Sequence, residues 1–299
     1  MPTARTANAV IGRMMDAMAQ EENQEPLTAA IERYLLKRSR SPKRLRAHRI
    51  SMIDRPRPGG RISPSAIGGC KRQAVFKFCG VPIKIKLDTR MELIFEDGNW
   101  RHHKWQALFK DMQRVLGRRH FRVVSIEARS VYEDLYIAGH LDAHLVIEGE
   151  HYIIDIKGIN QFGYKRVVLD TQAPMEHHIE QLIAYMKAKK VKRGIILYDN
   201  KDNQMYKCFR FNYSDEVWDK VVEWCDSVIT SLENGRLPPK HPDCNAGVFK
   251  YEHCGYRWLC YGRQSNEFLH ELAYNSFESV EVAWAAGFAE FERAMEAAA

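Results

Sequence analysis

Residues 139–158 read GHLDAHLVIEGEHYIIDIKG, and their pattern is the most informative one in the chain about the fold. Two apolar runs flank Glu148-Gly149-Glu150, a pattern that predicts two β-strands joined by a tight hairpin turn. Asp142 lies in the first strand and Asp155 in the second. Because strand side chains alternate between faces, Asp155 and Lys157 project to one face, and the hairpin can bring Asp142 beside Asp155.

The carboxylates of Asp142 and Asp155 form a candidate metal site. Two carboxylates a few ångströms apart repel each other unless a cation joins them. Oxygen ligands of this kind suit Mg²⁺ or Mn²⁺. Such an ion is expected to bind a scissile phosphate and help to deprotonate water, while Lys157 orients the attacking water. The alternative is an exposed strand face with an Asp–Lys ion pair, since an Asp-x-Lys triplet is common.

The segments on both sides of the hairpin predict an α/β fold. Apolar periodicity and turn residues give the following order of elements: helices at 64–78 and 92–116, strands at 121–132, 135–147 and 151–157, a helix at 175–190, strands at 193–199 and 204–212, and a helix at 214–234. This order indicates a mixed central sheet flanked by helices.

Three regions are expected along the chain. Residues 1–62 form N-terminal helices and a basic linker, and residues 63–266 form the main domain with a cysteine-clasped C-terminal segment. Residues 267–299, which are Ala-rich, form a C-terminal helix.

The composition indicates a soluble protein and suits a polyanionic partner. The 299 residues carry a formal net charge of +7, with a pI near 9.0, and 45% are hydrophobic. No stretch approaches the roughly 18 apolar residues of a membrane span, and the N-terminus lacks the apolar run of a secretory signal. We therefore expect a cytoplasmic protein without a membrane partner, and the excess of positive charge suits a polyanion but does not by itself indicate one.

The segment 37–49, KRSRSPKRLRAHR, contains seven Lys or Arg residues. It is either a solvated helix end and linker or an arm that contacts phosphates. In the second case Lys43, Arg44 and Arg46 are candidate substrate-binding residues.

Three motifs resemble those of the PD-(D/E)xK nucleases, in their RecB-like and CRISPR-associated exonuclease branch. The sequence 139–142 is similar to the G-x-x-D strand of that family, and 155–157 to its (D/E)-x-K strand. Gly98-x-x-x-His102 resembles the G-x-x-x-H helix, where the histidine is a metal ligand. The adjacent His103 points about 100° away on a helix, so only one of the two reaches the metal.

A fourth motif follows on the predicted helix at 175–190. Gln181 and Tyr185 are four positions apart and share a helix face. They resemble the family's Q-x-x-x-Y motif, which implies a glutamine at the active site and a tyrosine near the substrate strand. Glu127, in the preceding strand, is a further candidate polar group of the site. The resemblance thus implies that Lys157, Asp142, Asp155 and Gln181 are catalytic and that His102, Asp142 and Asp155 bind the metal.

The cysteines suggest a second metal. Seven cysteines in a chain without an export signal argue against a disulfide framework. Cys70 and the pair Cys254 and Cys260 resemble the ligands of the family's iron–sulfur members, with Cys244 as the fourth candidate. Nine residues lie between Cys244 and Cys254, whereas in relatives two residues usually lie between the corresponding cysteines. The resemblance implies a [4Fe–4S] cluster; structural Zn²⁺ and a metal-free thiol group are the alternatives. The other three thiols are expected in the core: Cys79, Cys208 and Cys225.

The resemblance implies a metal-dependent exonuclease that hydrolyses single-stranded DNA or DNA ends in recombination or repair. Recombination or replication proteins are its expected partners, and a phage origin is one implied source. The alternatives are a DNA-binding or assembly subunit with a vestigial nuclease core and a structure- or site-specific endonuclease. Cleavage polarity, the preference for DNA over RNA and the oligomeric state stay open.

Overall fold

A five-stranded mixed sheet forms the centre of the protein. A computed structural model describes residues 59–81, 89–245 and 254–260. The strands lie in the order β1-β2-β3-β4-β5: β1 Phe121–Tyr132, β2 Ile137–Ile147, β3 Glu150–Ile159, β4 Arg193–Asn200 and β5 Tyr206–Asn212. Only β3 and β4 are parallel, and the other neighbouring pairs are antiparallel. The α/β class and the mixed sheet predicted from the sequence are therefore confirmed.

The helices cover the sheet and connect its strands. Their bounds are as follows: α1 Lys71–Phe78, α2 Thr89–Leu116, α3 Gln161–Tyr164, α4 Glu176–Lys189, α5 Asp215–Glu233 and α6 Arg257–Cys260. Helix α4 lies in the crossover between the parallel strands β3 and β4, a connection that antiparallel neighbours do not need. No helix in the described part of the chain is both long and apolar enough to cross a membrane.

Two hydrophobic clusters occupy the two faces of the sheet. In one, Trp105 and Phe109 of α2 pack against side chains such as Ile154 and Ile156 of β3. In the other, α1, α4 and α5 pack against the face that carries Ile153 and the neighbouring apolar positions of β4. Burial of one such large side chain contributes about 1.5–3 kcal/mol. The sheet is thus fixed from both sides around β3.

The β2–β3 hairpin turns as the sequence predicts. Ile147 pairs with Glu150, which leaves Glu148 and Gly149 as the two central residues. Both have positive φ, 49° and 84°, and a two-residue turn with this backbone matches the twist of the flanking strands. The tight turn fixes the register in which β2 and β3 face each other.

One local prediction is wrong, and one helical segment was not predicted. The helix expected at 64–78 is interrupted: a 3₁₀ turn spans Pro64–Ala66, and α1 begins only at Lys71. Gly68, with φ of 71°, breaks the helical path between them. No element was predicted between β3 and α4, where α3 continues into a π-helical segment, Lys165–Asp170.

Several predictions lie outside the described residues. They concern the N-terminal helices, the basic segment at 37–49 with Lys43, Arg44 and Arg46, and the C-terminal helix at 267–299.

Candidate functional site

The hairpin strands separate at Asp142, and this opening forms the site. The last ladder pair between them is Ala143 with Ile154. At the next position, Asp142 Oδ2 accepts a hydrogen bond of 2.6 Å from the backbone N–H of Ile156. The carboxylate thus satisfies a strand N–H that a regular ladder would pair with a carbonyl. Leu141 and Ala143 lie in different hydrophobic clusters, so the side-chain alternation of β2 is broken at Asp142.

Helix α2 supplies His102 to this opening. His102 Nδ1 lies 3.1 Å from Asp142 Oδ1. The hydrogen bond to Asp142 raises the pKa of His102 above its ordinary value, although burial opposes this. Gly98 lies one helical turn earlier, and a Cβ placed there would meet nothing within 4 Å. Packing therefore does not demand a glycine at Gly98, and the helix surface leading to His102 is open.

Strand β1 contributes Glu127 through a strained backbone. Glu127 has φ of 49° in the middle of a strand, a left-handed conformation that costs a non-glycine residue about 1–2 kcal/mol. Gln106 Nε2 donates to Glu127 Oε1 at 2.5 Å and approaches the Asp142 carbonyl oxygen at 3.4 Å. Burial raises the pKa of Glu127 above its ordinary range. Gln106 was not identified from the sequence, although it is four positions after His102 and so shares its helix face.

His102, Glu127 and Asp142 fit a divalent cation. Their ligand atoms all lie within 4.8 Å of one another. In an octahedral site with bonds of 2.0–2.1 Å, adjacent ligands are about 3 Å apart, close to the 3.1 Å between His102 and Asp142. Two carboxylates and one imidazole are a donor set for Mg²⁺ or Mn²⁺. In the described part of the chain, Asp155 is not a member of this compact group.

Asp155, Lys157 and Gln181 form the second half of the site. Lys157 Nζ lies 3.0 Å from Asp155 Oδ2 and donates to Gln181 Oε1 at 2.8 Å. Burial raises the pKa of Asp155 to about 6, against the opposing charge of Lys157, and the Asp142 charge raises it further. The shared face of Asp155 and Lys157 is as strand alternation predicts, and the contact with Gln181 agrees with what the family resemblance implies.

Tyr185 does not have the exposure that its expected role requires. Only 5% of the residue is exposed, so its ring offers no free face for a base. Its hydroxyl would lie 3.6 Å from a Cβ on Gly139. Stacking of a base on Tyr185 is therefore not supported, and the place of Tyr185 near the substrate strand stays a prediction. The same region explains Gly139: a Cβ there would come within 2.7 Å of Pro64 Cδ.

A buried ion-pair network supports His102 from the neighbouring helix position. Arg101 Nη1 donates to Asp199 Oδ2 at 3.0 Å, and Arg101 Nη2 donates to the carbonyl oxygen of Lys201 at 3.0 Å. Asp199, near the end of β4, is fully buried, and Lys104 Nζ lies 3.3 Å from the same oxygen. The network was not predicted. Asp199, within the apolar run of β4, could have indicated it, because an aspartate is seldom fully buried without a partner.

Four thiols come together on the side of α1. Cys70 is the N-cap residue of α1. Cys244 and Cys260 both interact electrostatically with Cys70 and Cys254, and burial is the first cause that raises the pKa of each of these two thiols. Within the described residues, no three of the sulfur atoms lie within 4.8 Å of one another.

Donors from α1 point at two of these sulfur atoms. Gln73 Nε2 donates to Cys254 Sγ at 3.0 Å, and Arg72 hydrogen-bonds Cys260 and lowers its pKa against the effect of burial. Hydrogen bonds of this kind stabilise thiolate charge.

The remaining cysteines differ among themselves. Cys79 and Cys225 are buried, and burial raises the pKa of each to about 12, as expected of core thiols. Cys208 is exposed on β5. Its predicted place in the core is wrong, because within the described residues Cys208 is exposed on β5, the last strand of the sheet.

Comparisons with known proteins agree with this fold. Residues 81–261 match the family model described as the PD-(D/E)XK nuclease superfamily. No curated protein sequence matches the chain. Among solved structures, the alkaline exonuclease of Laribacter hongkongensis is similar at 12% identity and a TM-score of 0.43, over 59% of this chain and 90% of that one. The same exonuclease in complex with dAMP gives 13% and 0.43, over 58% and 89%.

Proposed function

Because the chain belongs to the PD-(D/E)XK nuclease superfamily, we propose that it is a Mg²⁺- or Mn²⁺-dependent deoxyribonuclease. One observation carries this proposal: the pair of Lys157 and Asp155 adjoins the cluster of His102, Glu127 and Asp142. The two groups are joined where the N–H of Ile156, between Asp155 and Lys157, donates to Asp142. An assembly subunit with a vestigial core would not need these groups within bonding distance of one another.

The cation would be held by His102, Glu127 and Asp142, with Asp155 as the adjoining carboxylate. The donor set fits a hard divalent ion, and a cation would stabilise the charged forms of Glu127 and Asp155, whose pKa values are raised chiefly by burial. Such an ion polarises a phosphate and lowers the pKa of a nearby water.

Lys157 acts on the attacking water and on the phosphate. An ammonium group has three N–H donors. Two acceptors lie within reach, Gln181 Oε1 and Asp155 Oδ2, which leaves one N–H to orient water or to stabilise charge developing on phosphate oxygen. Gln181 is buried and so restricts the position of Lys157 Nζ. Gln181 is therefore a positioning residue for the lysine.

The proposed substrate is single-stranded DNA or a DNA end, and the proposed setting is recombination or repair. The net charge of +7 supports a polyanionic substrate. A structure- or site-specific endonuclease is the alternative, and cleavage of a closed circle distinguishes it from an exonuclease.

The test is digestion of labelled single-stranded DNA, linear and circular, with Mg²⁺ or Mn²⁺ and with EDTA. We expect metal-dependent, progressive loss of the linear strand and resistance of the circle. Lys157→Ala should lower the single-turnover rate by at least about 100-fold, the contribution of one such electrostatic donor. Binding of DNA by this variant should stay within about twofold.

Lys110→Ala, which removes an exposed lysine of α2, is the matched control and should cleave like the wild type. Rapid cutting of the circle would replace the exonuclease with an endonuclease. Wild-type turnover by Lys157→Ala would remove the proposed site.

We also propose that Cys70, Cys244, Cys254 and Cys260 hold a [4Fe–4S] cluster. A single Zn²⁺ with bonds of about 2.3 Å holds its four sulfur atoms about 3.8 Å apart, whereas a four-iron cluster is larger. The convergence of the four thiols and the hydrogen bonds from α1 support a metal held by thiolates, and the choice of the cluster over zinc rests on the family resemblance.

A further inference from the structure

The segment after β3 presents an aromatic ring to solvent. Phe162, in α3, is 79% exposed. An exposed phenyl ring does not contribute the free energy of folding that a phenylalanine buried in the core contributes. Because Tyr185 is buried, a base-stacking side chain must come from another part of the chain if the protein grips single strands.

Phe162 stands on a rigid base rather than on a loose loop. The backbone N–H of Gln161 donates to Asp202 at 2.6 Å. The side-chain oxygen of Gln161 accepts from Asn200 at 2.6 Å and from Asn203 at 3.0 Å. At the helix start, Asn160 Oδ1 accepts from the N–H of Gly163. These bonds tie α3 to the turn between β4 and β5, so that the exposed ring is held in place.

Two cations follow the ring at helical spacing. Lys165 and Arg166 are exposed, and they stand three and four positions after Phe162, which places them on the same side of the helical path. In the described part of the chain, neither side chain has an ion-pair partner. Both charges are therefore available to a polyanion.

The ring is close to the proposed site along the chain. Phe162 is five positions after Lys157, and a fully extended chain of five residues spans at most about 18 Å. Nucleotides stacked at about 3.4 Å each would cover that distance in about five steps.

We propose that Phe162 is a stacking platform for a base of single-stranded DNA, and that Lys165 and Arg166 hold the neighbouring phosphates. This inference rests on the proposed function for its substrate class. An aromatic face accepts any base, so the contact adds affinity without reading sequence. The platform follows β3 in the chain. From there it can hold the DNA strand as that strand enters or leaves the site.

The test is equilibrium binding of labelled oligo-dT in EDTA, measured by fluorescence anisotropy without cleavage. Phe162→Ala should weaken binding about 5- to 150-fold, as the loss of one base–aromatic stack does. Phe162→Trp should keep the affinity, and Phe162→Leu should not. Leu169→Ala, at a residue of the same segment that is 59% exposed, is the control and should bind like the wild type.

Two further measurements separate stacking from a general apolar contact. With a single abasic site moved along the oligonucleotide, wild-type affinity should fall at one position, and Phe162→Ala should lose nothing more there. Lys165→Ala and Arg166→Ala should each flatten the salt slope by about 0.7, while Phe162→Ala should not change it.

Equal affinity of the wild type and Phe162→Ala would overturn the inference, and so would full affinity of Phe162→Leu. A wild type without affinity for oligo-dT would overturn it as well. Cleavage is measured separately with Mg²⁺ or Mn²⁺. A protein that binds through Phe162 but never cuts would refute the proposed function and leave the stacking site intact.

Discussion

At the scale of single residues, Glu127 combines a strained backbone with a proposed role as a metal ligand. Its left-handed backbone directs the carboxylate toward His102 and Asp142, and Gln106 holds it there. Strain of this kind persists where the surrounding structure enforces it, and it is frequent at functional sites. Here the strained conformation places the Glu127 carboxylate close to His102 and Asp142.

Replacing Glu127 separates the strain from the chemistry. Glu127→Gly and Glu127→Ala both remove the carboxylate, and both should weaken Mn²⁺ binding in calorimetric titrations. Only glycine relieves the positive φ, so Glu127→Gly should be more stable than Glu127→Ala by about 1 kcal/mol in urea unfolding.

Arg122 is the control position, because it is exposed and regularly paired in the same strand. There the order should reverse, with Arg122→Gly about 0.5–1 kcal/mol less stable than Arg122→Ala. An alanine variant at 127 as stable as the glycine variant would show that the backbone is not strained.

The site residues differ in how far the sequence could predict them. Asp155 and Lys157 follow from strand alternation, and the contact of Lys157 with Gln181 follows from helix periodicity joined to the family resemblance. Glu127 was a candidate without a stated geometry. Its role depends on a single left-handed residue that no sequence pattern indicates. The burial of Tyr185 could not be predicted, because residue spacing indicates a helix face but not whether other elements cover that face.

At the scale of secondary-structure elements, α2 must be held in one rotation and one height for His102 to reach Asp142. The buried pair of Arg101 and Asp199 provides this constraint, because it joins α2 to the end of β4. Gly158 allows the close approach: a Cβ there would lie 3.0 Å from Arg101 Cδ. The sequence predicted helix and strand separately, but their relative position depends on this tertiary contact.

Removal of one partner of this pair should be costly. Asp199→Ala removes one of the two carboxylates that pair with Arg101 and leaves only the partly exposed Asp97, so we expect a loss of up to about 3 kcal/mol in urea unfolding, the lower end of the cost of breaking a buried pair. Mn²⁺ affinity should fall as well, since His102 is the next residue on the helix.

The exposed pair of Asp111 and Arg114 on the same helix is the matched control. Asp111→Ala should change stability by no more than about 0.5 kcal/mol. Unchanged Mn²⁺ affinity in a folded Asp199→Ala variant would mean that the pair stabilises the fold without positioning His102.

At the scale of the whole molecule, the proposed cluster would join distant parts of the chain. The 173 residues between Cys70 and Cys244 (71–243) contain the entire sheet. A link of this length should stabilise the fold chiefly by restricting the unfolded chain. Cysteine spacing in the sequence suggested the ligand set, but only the fold shows that α1 and the C-terminal segment meet.

The purified protein should therefore be brown, and loss of the cluster should destabilise it. Each of Cys70→Ser, Cys244→Ser, Cys254→Ser and Cys260→Ser should lose the visible absorption. In the chain-entropy model, opening a loop of this length costs about 5 kcal/mol, an upper value that urea unfolding of each variant can test. Cys208→Ser is the control: its thiol is exposed on β5, and this variant should keep both colour and stability.

A colourless protein with one Zn²⁺ per chain would replace the cluster with a structural zinc site. Full colour in Cys244→Ser alone would leave the cluster but exclude Cys244 as its fourth ligand, because a cluster that loses a thiolate at this position should not survive purification.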